Sequence, residues 1–160
     1  MSFRLLAATP EHFARLNAGE ALADGTALAA TPVAGAEVLA MLAGVAEAVG
    51  RRFSPAAWLM VSRDEVVGLL SITEVVDKGV VQIGYGVAPG SRGQGHAADA
   101  VAALTEWARG DGRLTAIVAE TRTDNIASQR VLERNGFARI GERLDEEDGD
   151  LFCWRAEIQG

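Results

Sequence analysis

The chain has 160 residues, 49% hydrophobic and 23% charged, the balance of an ordinary globular protein large enough for one well-buried core. Its formal net charge of −7 argues against a broad nucleic-acid surface, while an acidic body suits a cationic acceptor such as an amine. No apolar run approaches the roughly 18 residues of a membrane span, Met1–Arg4 lacks the apolar core of a secretory leader, and the lone Cys153 excludes an internal disulfide framework. The expectation is a single cytoplasmic domain, with no membrane and no nucleic-acid partner, and with Cys153 as a small apolar residue of a C-terminal strand.

Phe3 to Ala7 reads as a strand. Thr9-Pro10-Glu11 then starts a helix, with a capping hydroxyl, proline at the first position and an acid in the first turn. His12 falls on the surface of that helix. Ala18 to Thr31 is weakly patterned and reads as a loop or a marginal short helix. Thr31-Pro32 repeats the start signal, and Val38, Leu39, Leu42, Val45, Ala46 and Val49 give a helical stripe up to Gly50. Ala57–Ser62 and Val66–Val75 form a hairpin around Arg63-Asp64-Glu65, and Asp77-Lys78-Gly79 turns into an apolar strand, Val80–Val87.

A helix beginning near Gly95 buries Ala97, Val101, Leu104 and Ala108 and ends at Gly110. Leu114–Ala119 is a short central strand. Asp124-Asn125 caps another helix, with Ile126, Val131 and Leu132 apolar, and Asn135-Gly136-Phe137 ends it with a left-handed glycine cap. Two strands, Ala138–Leu144 and Asp150–Ile158, flank the acidic turn Asp145–Gly149, a solvated hairpin tip. The order predicts an α/β domain with a mixed sheet, its first two helices covering one edge where they wall an acceptor site. Trp58, Trp107 and Trp154 read as packing residues, and no metal-ligand cluster appears.

The segment Val87-Ala-Pro-Gly-Ser-Arg-Gly-Gln-Gly-His-Ala97 carries the chemistry. A strand empties into a glycine-rich turn that opens directly into a helix, which aims free backbone N–H groups and the positive end of a helix dipole at one spot. Arg92 adds a forked cation that matches phosphate oxygens. Gly93-Gln94-Gly95-His96-Ala97-Ala98 also satisfies the loose dinucleotide fingerprint, though several strands precede it and no acid ends the next strand at the expected distance. The lysine–serine pair of a triphosphate loop is missing. On the loop alone, a phosphate cradle and a plain glycine-rich connection both stand.

Two motifs extend the reading. Arg92-Gly93-Gln94-Gly95-His96-Ala97 resembles the Arg/Gln-x-x-Gly-x-Gly/Ala signature of the GNAT (Gcn5-related) acetyltransferases. Asn125-Ile126-Ala127-Ser128, continuing to Gly136-Phe137, is similar to the second signature of their RimJ/RimL-type branch. The resemblance implies a single-domain GNAT fold: a mixed seven-stranded sheet whose central strands splay to admit acetyl-CoA, with about four helices. It implies that residues 92–97 hold the CoA pyrophosphate, that Val87 and its strand run beside the pantetheine arm, that His96 lies near the pyrophosphate, and that Asn125 bonds the cofactor. Chemistry would be direct transfer of acetyl to a primary amine, either a protein N-terminus or a small molecule such as an aminoglycoside or polyamine, with no metal. In a family where dimers are frequent, a homodimer is expected.

Such a transfer needs a base for the amine and a group to receive the departing thiolate. Glu120 closes the Leu114–Ala119 strand, five positions before Asn125, where related N-terminal acetyltransferases carry a catalytic glutamate; a solvated strand-end charge is the alternative. Many members place a tyrosine in the second-motif helix to protonate the thiolate, and Leu132 stands there here. Ser128 falls where the RimJ/RimL-type branch has a serine assigned to that task or to bonding the sulfur; the alternative is a hydroxyl that tidies the first helical turn. Tyr85 reads as a packed strand aromatic and His96 as a solvated loop histidine. A non-catalytic acyl-CoA-binding module and a dinucleotide oxidoreductase are the competing readings.

Overall fold

A computed structural model describes residues 3–158. Met1 and Ser2, within the segment read as lacking a leader, lie outside the described residues, as do Gln159 and Gly160. Strand β1 (Phe3–Ala7) leads to helix α1 (Pro10–Ala18), where the Thr9 hydroxyl accepts from the His12 N–H and His12 Nδ1 accepts from the Thr9 N–H. The cap is the one the sequence predicts, with His12 closing the reciprocal half.

The next segment departs from expectation. Residues 27–28 form a two-residue strand, β2 (Ala27–Leu28), and helix α2 runs over Ala36–Gly50 rather than from Thr31. The reason is tertiary: the Thr31 hydroxyl accepts from the backbone N–H of Gly90 at 2.9 Å, so it caps a distant turn instead of its own helix. Gly35 takes the N-cap without a side-chain bond.

Then follow β3 (Ala57–Ser62), β4 (Glu65–Asp77), β5 (Val80–Val87), α3 (His96–Asp111), β6 (Ala116–Arg122), α4 (Ile126–Arg134), β7 (Ala138–Asp145) and β8 (Gly149–Glu157). The sheet order is β1-β3-β4-β5-β6-β8-β7, with β2 beside β4, so the expected seven strands gain a short eighth. All main-strand pairs are antiparallel except β5–β6. β2 pairs parallel with Glu65 and Val66, the part of β4 that β5 leaves uncovered after the Gly68–Val87 pair. No helix among the described residues is long and apolar enough to cross a membrane.

Both faces of the sheet are covered. Phe13 and Leu39 of α1 and α2 pack on Leu59, Val66 and Leu69. On the other side Val101, Leu104 and Ala108 of α3 and Leu132 of α4 pack on Leu70, Ile72, Val81, Ile117 and Trp154. Alternation along the strands sends successive side chains to opposite layers, which is why β3 and the Val66–Leu70 stretch of β4 are apolar and buried on both faces. Trp58 and Trp154 are core residues, and Trp107 packs edge-on to Trp58 at 5.2 Å. The acidic tip is ordered by its own backbone: Asp145 accepts from the N–H groups of Glu147 and Asp148, which, with Arg143 nearby, lowers its carboxyl pKa.

Candidate active site

β5 and β6 pair parallel only at Val80–Ile83 with Ala116–Ala119. Beyond Ile83, β5 continues four residues along β4, and beyond Ala119, β6 continues three residues along β8. The two strands therefore part, each still paired on its outer side. Beside the freed end of β5 opens a cleft of about 580 Å³, bounded by Tyr85, Gly86 and Val87 of β5, by the turn before α3, by Asn125, and by Ser128, Val131 and Arg134 of α4.

The turn at the cleft base is built as its sequence suggests. Gly93 and Gly95 adopt φ of 78° and 82°, a left-handed region favourable to glycine. Gly95 caps α3 with no side-chain bond. The N–H groups of Gly93, Gln94, Gly95, His96, Ala97 and Ala98 have no acceptor among the described residues, whereas Ser91, Arg92 and Asp99 donate to backbone carbonyls on either side. Six uncommitted donors at a helix N-terminus form an anion cradle. Arg92 is exposed and donates from Nε to the Val87 carbonyl at 3.3 Å, which ties the turn to the end of β5. Arg134, which the sequence reading did not single out, supplies a second cation at the cleft wall.

Three expectations need correction. His96 is not a solvated loop residue: it begins α3, is buried, and stacks on Phe3 with centroids 6.0 Å apart. Stacking holds the ring away from solvent, so its contribution to an anion site comes through its backbone N–H. Gln94 lines an adjoining cavity with Ser62, Arg63 and Glu65, so it is its backbone N–H that belongs to the cradle. Ala97 is half-buried at the cleft wall rather than in the core stripe.

At the upper end of the cleft, Asn125 caps α4 by accepting the Ser128 N–H on its Oδ1 at 3.1 Å, which leaves its amide nitrogen to donate elsewhere. The Ser128 hydroxyl does not tidy its own helix: it lies 2.8 Å from the Tyr85 hydroxyl. Tyr85 is half-buried against the core, and burial raises its pKa above the ordinary 10.0.

Glu120 is the first residue of β6 beyond the last β5–β6 pair, inside the strand rather than at its end. Both its oxygens are engaged by Arg143 of β7, Oε1 accepting from Nη2 at 2.8 Å and Oε2 from Nε. Cys153 of β8 lies beside it, Sγ 3.9 Å from Oε2; burial and then the Glu120 charge raise the thiol pKa. Glu120 is not among the residues that line the cleft. Among the described residues no group of three His, Cys, Asp or Glu side chains is arranged to hold a metal ion.

A family model described as an acetyltransferase (GNAT) domain matches residues 3–138, and those residues include every element around the cleft. The chain belongs to the GNAT acetyltransferase family. An uncharacterised N-acetyltransferase of Bacillus subtilis (strain 168), YjdG, is 31% identical over 84 residues, about half of each protein (51% of this chain and 50% of that one). Solved structures share the fold: RimL, a ribosomal L7/L12 alpha-N-protein acetyltransferase in complex with coenzyme A, at TM-score 0.75 and 22% identity, covering 99% of this chain and 95% of that one. AAC(6')-Ib in complex with paromomycin and acetyl-CoA follows at TM-score 0.70 and 20% identity, covering 98% and 94%. Within this GNAT fold the glycine fingerprint follows β5 rather than a first strand, so the dinucleotide oxidoreductase reading falls away.

Proposed function

We propose that this GNAT domain transfers acetyl from acetyl-CoA directly to a primary amine, with a protein N-terminal amine as acceptor. One observation carries the reading: the sheet parts over a turn with six uncommitted N–H groups, at a helix N-terminus flanked by Arg92 and Arg134. A pyrophosphate matches those donors, and a pantetheine arm matches the open edge of Gly84–Val87. The free amide of Asn125 is the third contact. Holding amine and thioester together supplies about 7–11 kcal/mol of the barrier, and a base adds about 10²–10⁴-fold. In the reaction the amine nitrogen bonds the thioester carbon, the C–S bond breaks with its electron pair to sulfur, and the amine loses a proton. Glu120 is the proposed base: with Arg143 holding both oxygens, each still has a lone pair for a water that relays the proton. Ser128 is proposed to bond the sulfur.

A second cavity of about 290 Å³ supports the acceptor class. It lies on the α2 side of β4 and β5, is lined by Val33, Val38, Leu42, Leu69, Ser71 and Thr73, and shares Tyr85 and Gly86 with the cleft. Among the described residues its lining carries no charge, which suits an amine beside a small neutral side chain and leaves a polycation unbalanced. The test is an acceptor panel with acetyl-CoA, read by thiol release: peptides with small neutral N-terminal residues against aminoglycosides and polyamines. Faster turnover of the peptides is expected. Turnover of polycations alone would overturn the acceptor class, CoA binding without any turnover would leave a binding module, and absence of CoA binding would overturn the whole reading.

A further inference from the structure

The chain has one tyrosine, and β5 places it where β5 and β6 have already parted. Its hydroxyl lies 2.8 Å from Ser128 Oγ and 3.4 Å from the Ser128 carbonyl oxygen. Either hydroxyl can donate in the 2.8 Å contact; the phenol is the more acidic of the two and is taken as the donor to Ser128 Oγ. The Ser128 hydroxyl then keeps its own proton for a third atom. With its N–H held by Asn125 at 3.1 Å, Ser128 is fixed from two sides, and that third atom lies in the cleft that Ser128 lines. Burial supports the arrangement by keeping the phenol protonated through the neutral and mildly alkaline range. Leu132 of α4 is fully buried in the core, so that helix position presents nothing to the cleft. Tyr85 and Gly86 are the residues common to both cavities, and of the two only Tyr85 has a side chain.

We propose that Tyr85 is the positioning residue for Ser128, aiming the Ser128 hydroxyl proton at the sulfur of the departing coenzyme A thiolate. The inference rests on the acetyltransferase reading above. As the C–N bond forms and the C–S bond breaks, sulfur takes the electron pair and the Ser128 hydrogen bond stabilises it. The proton that finally neutralises the thiolate is the one the amine has lost, so Ser128 and Tyr85 end with the protons they began with.

The test is a double-mutant cycle of Tyr85→Phe and Ser128→Ala, with kcat and KM determined separately and CoA affinity measured by calorimetry. Tyr85→Phe keeps the ring and its packing; thermal unfolding within ~2 °C of wild type verifies that. Loss of one hydrogen bond to the reacting group lowers kcat about tenfold, with KM for acetyl-CoA and CoA affinity unchanged. On the Ser128→Ala background the same substitution has no further effect. An active wild type with an indifferent Tyr85→Phe overturns this proposal alone, as does a loss confined to KM or one that adds fully to Ser128→Ala. A wild type that turns over no amine overturns the acetyltransferase reading and this inference with it.

Discussion

Gly68 is the position where the smallest addition should disturb the cleft most. It pairs with Val87 at the end of β5, and a Cβ built there meets the Gly86 carbonyl oxygen at 2.6 Å and Met60 Sδ at 2.7 Å. Real Cβ atoms essentially never approach closer than 3.0 Å, so Gly68→Ala requires movement of at least ~0.4 Å. The Met60 thioether can turn aside, but the Gly86 carbonyl is backbone. Overpacking of this kind costs about 1–3 kcal/mol, and in a domain of this size each kcal/mol lowers Tm by about 2–4 °C, so a fall of roughly 2–12 °C is expected. The direction of movement matters more than its size. β5 beyond Ile83 has no neighbour on the β6 side, so the displacement falls on Gly86 and Val87 rather than on the paired stretch Val80–Ile83. Weaker CoA binding, by several-fold, should therefore accompany the lower Tm in calorimetry and thermal melts. A Tm within 1 °C of wild type would refute the close approach, and a lower Tm with unchanged CoA affinity would show that β4 rather than β5 gives way.

Two further substitutions examine the cradle and the carboxylate of β6. At Gly95 a side chain meets open space, so the cost of Gly95→Val is that of a β-branched residue at φ 82°, about 1–2 kcal/mol or more; CoA affinity should fall tenfold or more, and unchanged calorimetric affinity would remove the turn from the cofactor site. Cys153 should alkylate with a pH midpoint above the ordinary 9.0, because burial and then the Glu120 carboxylate disfavour the thiolate. Glu120→Gln removes that charge while Arg143 still favours the thiolate, so iodoacetamide labelling at pH 8 should quicken; a slower or unchanged rate would contradict the geometry. The same variant should lose about 10²–10⁴-fold in kcat/KM if Glu120 is the base, and an unaltered pH profile would exclude it.

Local pattern carried the sequence reading far, and tertiary choices limited it. β5, the turn and α3 follow from a β-branched run, paired glycines and helical spacing, and Asn125 caps α4 as predicted. Helix α2 starts later than the Thr31-Pro32 signal predicts because Thr31, a sound capping residue by propensity, uses its hydroxyl on Gly90, 59 residues away. Strand β6 ends at Arg122 rather than Ala119 because β8 carries it onward after β5 has left. Arg143 gave no signal, since only the order β6-β8-β7 sets it against Glu120, 23 residues earlier. Tyr85 packs against the core as its strand position predicts, but its hydroxyl partner lies 43 residues on, at a separation no periodicity encodes. A loop position predicts a solvated His96, because loops usually are exposed, and Phe3 covers it instead.

The parting of β5 and β6 also gives this sheet two edges in its interior. Gly84–Val87 and Glu120–Arg122 are each satisfied on the outside by β4 and β8 and face one another without a ladder between them. On an outer rim such edges invite another chain to pair. Here the N-terminal turns of α3 and α4 border the freed end of β5, so this edge lies inside a cleft and not on an outer rim. A ligand with amides along its length would enter as a missing strand, so its binding would complete the sheet as well as load the site. Saturation at a hundred times Kd would then add about 2.7 kcal/mol to the folded state, and would close the interior edges to foreign pairing.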